Sequence, residues 1–344
     1  MHIRTLALAL AAALTAGAAS AQTPGYKVVK SVPLGAPDRW DYVVFDAPSH
    51  RVYVAHGDRV SVVDGHDGKV IGEVTGIPGG THGIGVAGGK GYTDDGEAGV
   101  AVVFDLQTLK VTGRITTKPD ADGIAVDPAT GHVFVVDGDS KVLSVIDPKT
   151  DKVIATIEGG GGLEYAVAGQ GGKLYVNGAE NKELLRIDTK TNAVDARWPV
   201  PGCTSPHGLA VDPAAHRLFT SCVNKVLTVV NTDSGAVVAT LPIGAGTDGA
   251  AFDPVRKRVF SANGADGSLT VISEKDANTF TVAETVQTPV TGKTIGIDPA
   301  TGRLYIAAAD IDPKAPVTPG PGGRPGRPKP LPGTLKLLFL DPVR

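Results

Sequence analysis

An all-β chain is predicted, with seven four-stranded antiparallel blades arranged as a β-propeller, and three observations carry the prediction. The first is a period. An apolar strand ends on an acidic or small polar residue and a turn at Asp64, Asp105, Asp147, Asp188, Asn231 and Ser273, spaced 41 to 43 residues apart, and once more at Asp341. A repeat near forty residues filled with short alternating strands is the mark of a propeller. The second is the likeness of the repeats to one another: VSVVDGHDGKVIGEV (60–74), VAVVFDLQTLKVTGRI (100–115), VLSVIDPKTDKVIATI (142–157) and VLTVVNTDSGAVVATL (226–241). The third is composition. With 45 glycines and 25 prolines the chain is rich in turns, and no sustained Ala/Leu run outside its first residues asks for a long helix.

The chain opens on MHIRTLALALAAALTAGAASA (1–21), a weakly basic start, an apolar core from Leu6 to Leu14 and an A-x-A site at Ala19–Ala21. This pattern predicts a secretory signal cleaved after Ala21 and a mature chain exported to a periplasm or the exterior. The apolar run is too short for a good membrane anchor, so no transmembrane segment is expected. Residues 22–344 then read as one propeller domain. In the third blade strand a is GIAVD (123–127), strand b HVFVVD (132–137), strand c VLSVID (142–147) and strand d KVIATI (152–157). Pro-Ala-Thr-Gly and Pro-Lys-Thr-Asp supply its tight corners. The b strands recur as RVYVAH (51–56), KLYVNG (173–178), RLFTSC (217–222), RVFSAN (258–263) and RLYIAA (303–308).

The last blade lacks an outer strand at the C-terminus. KVVKSVPLG (27–35) matches AVVATLPIG (236–244) and is expected to pair with Leu335–Asp341, closing the ring and hiding its sheet edges. Between strands b and c of that blade lies ADIDPKAPVTPGPGGRPGRPKPLPGT (309–334). Its composition favours an extended loop emerging on the same face as the d-to-a connections. From there Arg324, Arg327 and Lys329 reach towards the channel as a lid; the plainer reading is an irregular surface loop.

With Arg4 removed, 32 basic residues face 36 acidic ones, a net charge of −4, and the repeats carry no basic block. Nucleic acid is therefore not expected as a partner. An even pair of cysteines in an exported chain, Cys203 and Cys222, reads as a disulfide; a metal–thiolate site and two free thiols are the alternatives.

The cores Tyr53-Val54-Ala55-His56 and Tyr175-Val176-Asn177, with the Val-x-Val-Ile/Val-Asp units and their turns, resemble the YVTN-repeat (YncE-like) propellers of exported bacterial proteins over residues 26–344. The resemblance implies the seven-bladed fold and no assigned activity. It also implies a similar cysteine pair, and a threonine where this chain has His207.

Strand a lines the channel of a propeller, and counting five back from its closing corner gives one residue per blade: Asp41, His82, Asp122, Glu164, His207, Asp248 and Lys293. All seven ionise. Several sit in one local pattern, THGI, ADGI, PHGL and TDGA, whose glycine lets backbone approach a neighbour or ligand. Such a ring suits a divalent metal ion, held by His82, Asp122, Glu164, His207 and Asp248, or a small polar molecule held by charge-assisted hydrogen bonds. The alternative is a set of polar groups that merely solvate a water-filled pore. Trp40 is either an aromatic wall at the same mouth or inter-blade packing. Trp198 reads as packing, His56, His66, His132 and His216 as surface residues, and Arg186 as solvated.

No G-x-S-x-G nucleophile motif is present. The function expected is non-catalytic binding of a small polar ligand, metal ion or protein partner at the channel face, by a monomer. The alternative is a metal-assisted lactonase or lyase with His82 or His207 as general base. A protein-interaction platform using the blade edges is the third reading.

Overall fold

Repetition of one strand pattern builds seven separate four-stranded antiparallel sheets in the computed structural model, which describes residues 25–315 and 328–343. The expected export signal and cleavage site, together with Arg324 and Arg327 of the insertion, lie outside the described residues. No described residue is helical. Blade 1 runs outward from the axis as Val43–Asp46, Arg51–His56, Arg59–Asp64 and Val70–Val74, and the next five blades repeat this order along the chain. Blade 7 is composite: Ile295–Asp298, Arg303–Ala308 and Lys336–Pro342 are completed by Tyr26–Pro33. Lys27 stands opposite Asp341 and Val32 opposite Leu337, so the closing strand pairs as expected.

The recurring Asp at the end of strand c has a local cause. Its carboxylate accepts backbone N–H groups two and three residues on: His66 and Asp67 for Asp64, Gln107 and Thr108 for Asp105, Lys190 and Thr191 for Asp188. Asn231 uses its carboxamide oxygen in the same way. The period therefore records an Asx turn in blades 1 to 5. Asp341 departs from this; it takes a two-point contact from Arg303 at 2.6 and 2.8 Å.

A second repeat sits in the core. An aromatic residue is buried at the equivalent position of every b strand, the third residue in all but blade 3, where it is the second: Tyr53, Tyr92, Phe134, Tyr175, Phe219, Phe260 and Tyr305. Each blade presses this ring towards the next sheet, as Tyr53 of blade 1 does against Ile84 and Phe104 of blade 2. At the closure Tyr305 packs with Val43 and Val52 of blade 1, and its hydroxyl donates to the Gly65 carbonyl at 2.9 Å.

Cys203 and Cys222 form a disulfide with Cα atoms 5.4 Å apart, which removes the metal–thiolate and free-thiol alternatives. It joins the loop before strand a of blade 5 to the end of that blade's strand b. Two readings need correction. His56 is fully buried, not a surface residue. It bonds the Pro37 carbonyl through Nε2 at 2.7 Å and the Ser61 hydroxyl through Nδ1 at 2.8 Å, fastening the entry to blade 1. Arg186 is not simply solvated: it pairs with Asp195 at 2.7 Å and lies 5.2 Å above the Trp198 ring, which itself stacks on Tyr175. His66 and His216 are exposed as expected, while His132 is half-buried.

Replacing Cys203 and Cys222 together by alanine is expected to lower unfolding free energy by about 3 kcal/mol, the chain-entropy value for a loop of this length. Urea denaturation measures it; a loss below about 1 kcal/mol would show that the loop gains nothing from closure.

Candidate functional site

One backbone rule brings the seven ionisable residues to the axis. Each stands two residues before the strand-a residue that pairs with the strand-b residue following the buried aromatic: Val43 with Val54, Ile84 with Thr93, Ile124 with Val135, Ala166 with Val176, Leu209 with Thr220, Ala250 with Ser261, Ile295 with Ile306. None of the seven is itself in the pairing register. In blades 3 to 6 the register slips across Asp122, Glu164, His207 and Asp248, and such bulges re-aim a side chain. In blades 1, 2 and 7 the residue precedes the ladder.

Adjacent blades are laced at this level. Tyr42 N donates to the His82 carbonyl at 3.2 Å, Asp248 N to the Lys293 carbonyl at 3.2 Å, and Thr294 Oγ1 to the Asp41 carbonyl at 2.6 Å. The glycine after the ring residue makes the approach possible. A Cβ on Gly83 would lie 2.4 Å from Ile124 N, and one on Gly208 2.6 Å from Ala250 N.

The side chains divide into three groups. Lys293 Nζ is 2.5 Å from Asp248 Oδ2 and 3.4 Å from Asp41 Oδ2. His207 Nε2 is 3.8 Å from Glu164 Oε1, with Nδ1 3.1 Å from the Ser205 carbonyl. Asp41, His82 and Asp122, from blades 1, 2 and 3, each offer one ligand atom within 4.8 Å of the others. Of the five residues expected to hold a metal, only His82 and Asp122 fall in this donor cluster; Asp41 replaces Glu164, His207 and Asp248.

Behind His82 stands a residue the sequence reading missed. Asp94, fully buried on strand b of blade 2, meets His82 Nδ1 at 2.8 Å and accepts the backbone N–H groups of His82 and Gly83. Burial opposes a charged imidazole, but the Asp94 bond and charge, with Asp122 and Asp41, push the His82 pKa up to about 9. Burial in turn lifts Asp94 to about 6. Each partner favours the charged form of the other. On the far side of the ring Arg39 Nη2 stands 3.5 Å from Nε2.

For Glu164 and Asp122, burial and crowding outweigh their cationic neighbours. Burial raises Glu164 to about 8, helped by Asp248 and Asp41. Asp122 is held well above the usual carboxylate range by burial and then by Asp41, with Glu164 adding to it. Their side chains are still 32% and 28% exposed, so water in the channel reaches them.

Tyr42 and Tyr165 follow ring residues in blades 1 and 4, nearly opposite in the circle, yet their rings meet edge to face with centroids 4.6 Å apart. They must therefore meet inside the channel, and they span it. Burial raises both phenols, Tyr165 to about 12. The signal for them was present: four blades carry Gly at this position, and these two carry Tyr.

At the mouth is a cavity of about 340 Å³, whose lining includes Arg39, Trp40, Asp41, His82, Lys293 and Pro330. Trp40 does both things considered for it: it is only 8% exposed, packed with Val43 and Leu335, and it forms part of this wall. Pro328 and Pro330 bring the returning end of the insertion to the cavity, and Lys329 between them is exposed. The carboxylate of Asp38 anchors that end by accepting the backbone N–H groups of Gly333, Thr334 and Leu335.

A carboxyl whose folded pKa is raised binds its proton more tightly folded than unfolded, so stability falls as pH rises from the ordinary Glu range through about 8. Glu164→Gln should therefore gain melting temperature over the wild type progressively between pH 5 and pH 9. A difference that stays flat over that interval would show Glu164 to be an ordinary carboxylate.

Two solved structures share the fold. A chain of Kuenenia stuttgartiensis hydrazine synthase has a TM-score of 0.69 and 16% identity, covering 78% of this chain and 92% of that one. A chain from the crystal structure of a mitotic checkpoint complex has a TM-score of 0.72 and 16% identity, covering all of both. At such identities the likeness concerns the fold alone. No curated protein matches the sequence. Residues 42–309 match the family described as "Domain of unknown function (DUF5074)", and the chain belongs to that family.

Proposed function

We propose that this protein is an exported, non-catalytic propeller that holds a small polar ligand in a blind cup at its channel mouth. One observation carries the reading: seven structurally equivalent ionisable residues lie around a channel spanned by Tyr42 and Tyr165, beside a cavity of about 340 Å³. A concave site with a few convergent charged groups, perturbed pKa values and an aromatic wall is the form small-ligand sites take. Asp41, His82, Asp122, Glu164, His207, Asp248 and Lys293 supply charge-assisted hydrogen bonds, with Trp40 at the rim.

Export is supported by the signal-like start of the sequence and by the Cys203–Cys222 bridge. No helix among the described residues is long and apolar enough to cross a membrane. Kinship with the exported YVTN-repeat propellers, and action as a monomer, belong to this proposal. So does a lid role for the insertion, whose returning end lies at the cavity.

The Ser61–His56 hydroxyl–imidazole contact is sealed in the core and out of reach of a substrate. A metal-assisted lactonase or lyase is the second reading, favoured by the Asp41–His82–Asp122 donor cluster.

A thermal-shift screen against small carboxylic acids, amines and divalent cations should find stabilising ligands. Asp122→Ala combined with Asp248→Ala should abolish those shifts. Shifts that persist unchanged in the double variant would place the ligand elsewhere, and turnover of a lactone would favour the second reading.

A further inference from the structure

We propose that Asp41, His82 and Asp122 bind one divalent transition-metal ion, an inference that rests on the cup being the ligand site and names its ligand class. Three donors from three successive blades already lie within 4.8 Å of one another. In a tetrahedral ion with bonds near 2.1 Å, donors stand roughly 3.4 Å apart, so modest side-chain rotations complete the site.

The mixture of donors selects the ion. An imidazole with two carboxylates suits zinc or manganese, whereas calcium and magnesium favour oxygen throughout. The backing of His82 has the form found behind metal-bound imidazoles. A fully buried carboxylate, Asp94, holds Nδ1 at 2.8 Å and the backbone N–H of the same residue at 2.9 Å, fixing the ring; Nδ1, 4.0 Å from Asp122, is thereby taken, and an ion would bind Nε2 in place of Arg39.

Two cations stand beside the site and define the competition. Lys293 lies closer to Asp248 than to Asp41, at 2.5 against 3.4 Å, so Asp41 is the partner it can release. Arg39 lies 3.5 Å from His82 Nε2 and lines the open cavity, into which it can swing.

The cavity gives the ion access and room for ligands of its own. Asp41 and His82, two of the three donors, line it.

The test is titration of tag-free, chelator-treated protein with ZnCl2, MnCl2, CaCl2 and MgCl2 by calorimetry. One zinc or manganese ion should bind per chain, more tightly than calcium or magnesium. Asp122→Asn faces the channel and is expected to fold. It should weaken binding by more than the ~10–100-fold typical of losing an outer partner, and Asp94→Asn by about that amount. Lys293→Met, which removes a competing cation, should strengthen binding. His216→Ala controls for the exposed His216–Asp233 pair and should change nothing.

No zinc or manganese binding would overturn the inference, as would binding indifferent to Asp122→Asn or lost with His216→Ala. If organic acids or amines still stabilise the metal-free protein and need the ring, only the metal assignment falls. If nothing binds the ring, the reading of the cup falls with it.

Discussion

Seven sheets can point one strand each at a common axis only while the circle is closed, and closure here depends on residues from opposite ends of the chain. Tyr26–Pro33 pairs with Lys336–Pro342, supplying blade 7 with the edge that its own stretch of sequence lacks. Arg303 secures the same seam by gripping Asp341 and the Gly65 and His66 carbonyls of blade 1. The buried aromatic on each b strand sets the spacing of neighbouring blades. With that spacing fixed, the residue two before the inner ladder has nowhere to go but the channel.

Electrostatics follows from this geometry. An open sheet would let Asp41, Asp122, Glu164 and Asp248 separate in water, but the closed circle holds them together where desolvation penalises charge. The molecule answers in different ways around the circle. Lys293 lies between the carboxylates of blades 6 and 1, and Asp94 favours the charged form of His82 beside blades 1 and 3. Burial lifts the pKa of Glu164 and of Asp122, so the ring is uneven in charge.

Much of this was legible before any coordinates, because it is local. Asp64, Asp105 and Asp188 mark the period since each caps a turn made by the next three residues. The ring positions follow from counting, and the closing strand from its likeness to residues 236–244. Asp94 escaped notice because its role is set by a contact across its own blade, in a strand whose equivalents elsewhere include Ala55, Val136 and Ala307. His56 was misjudged for the same reason: a histidine at a strand end reads as exposed unless the Pro37 carbonyl above it is known. Tyr42 and Tyr165 are far apart in sequence and meet only because blades 1 and 4 face each other.

The contact between those two phenol rings gives the toroid a front and a back. Each ring is partly exposed, and together they narrow the bore where they touch. A substitution at either tyrosine therefore changes the width of the pore as well as the packing of two facing blades.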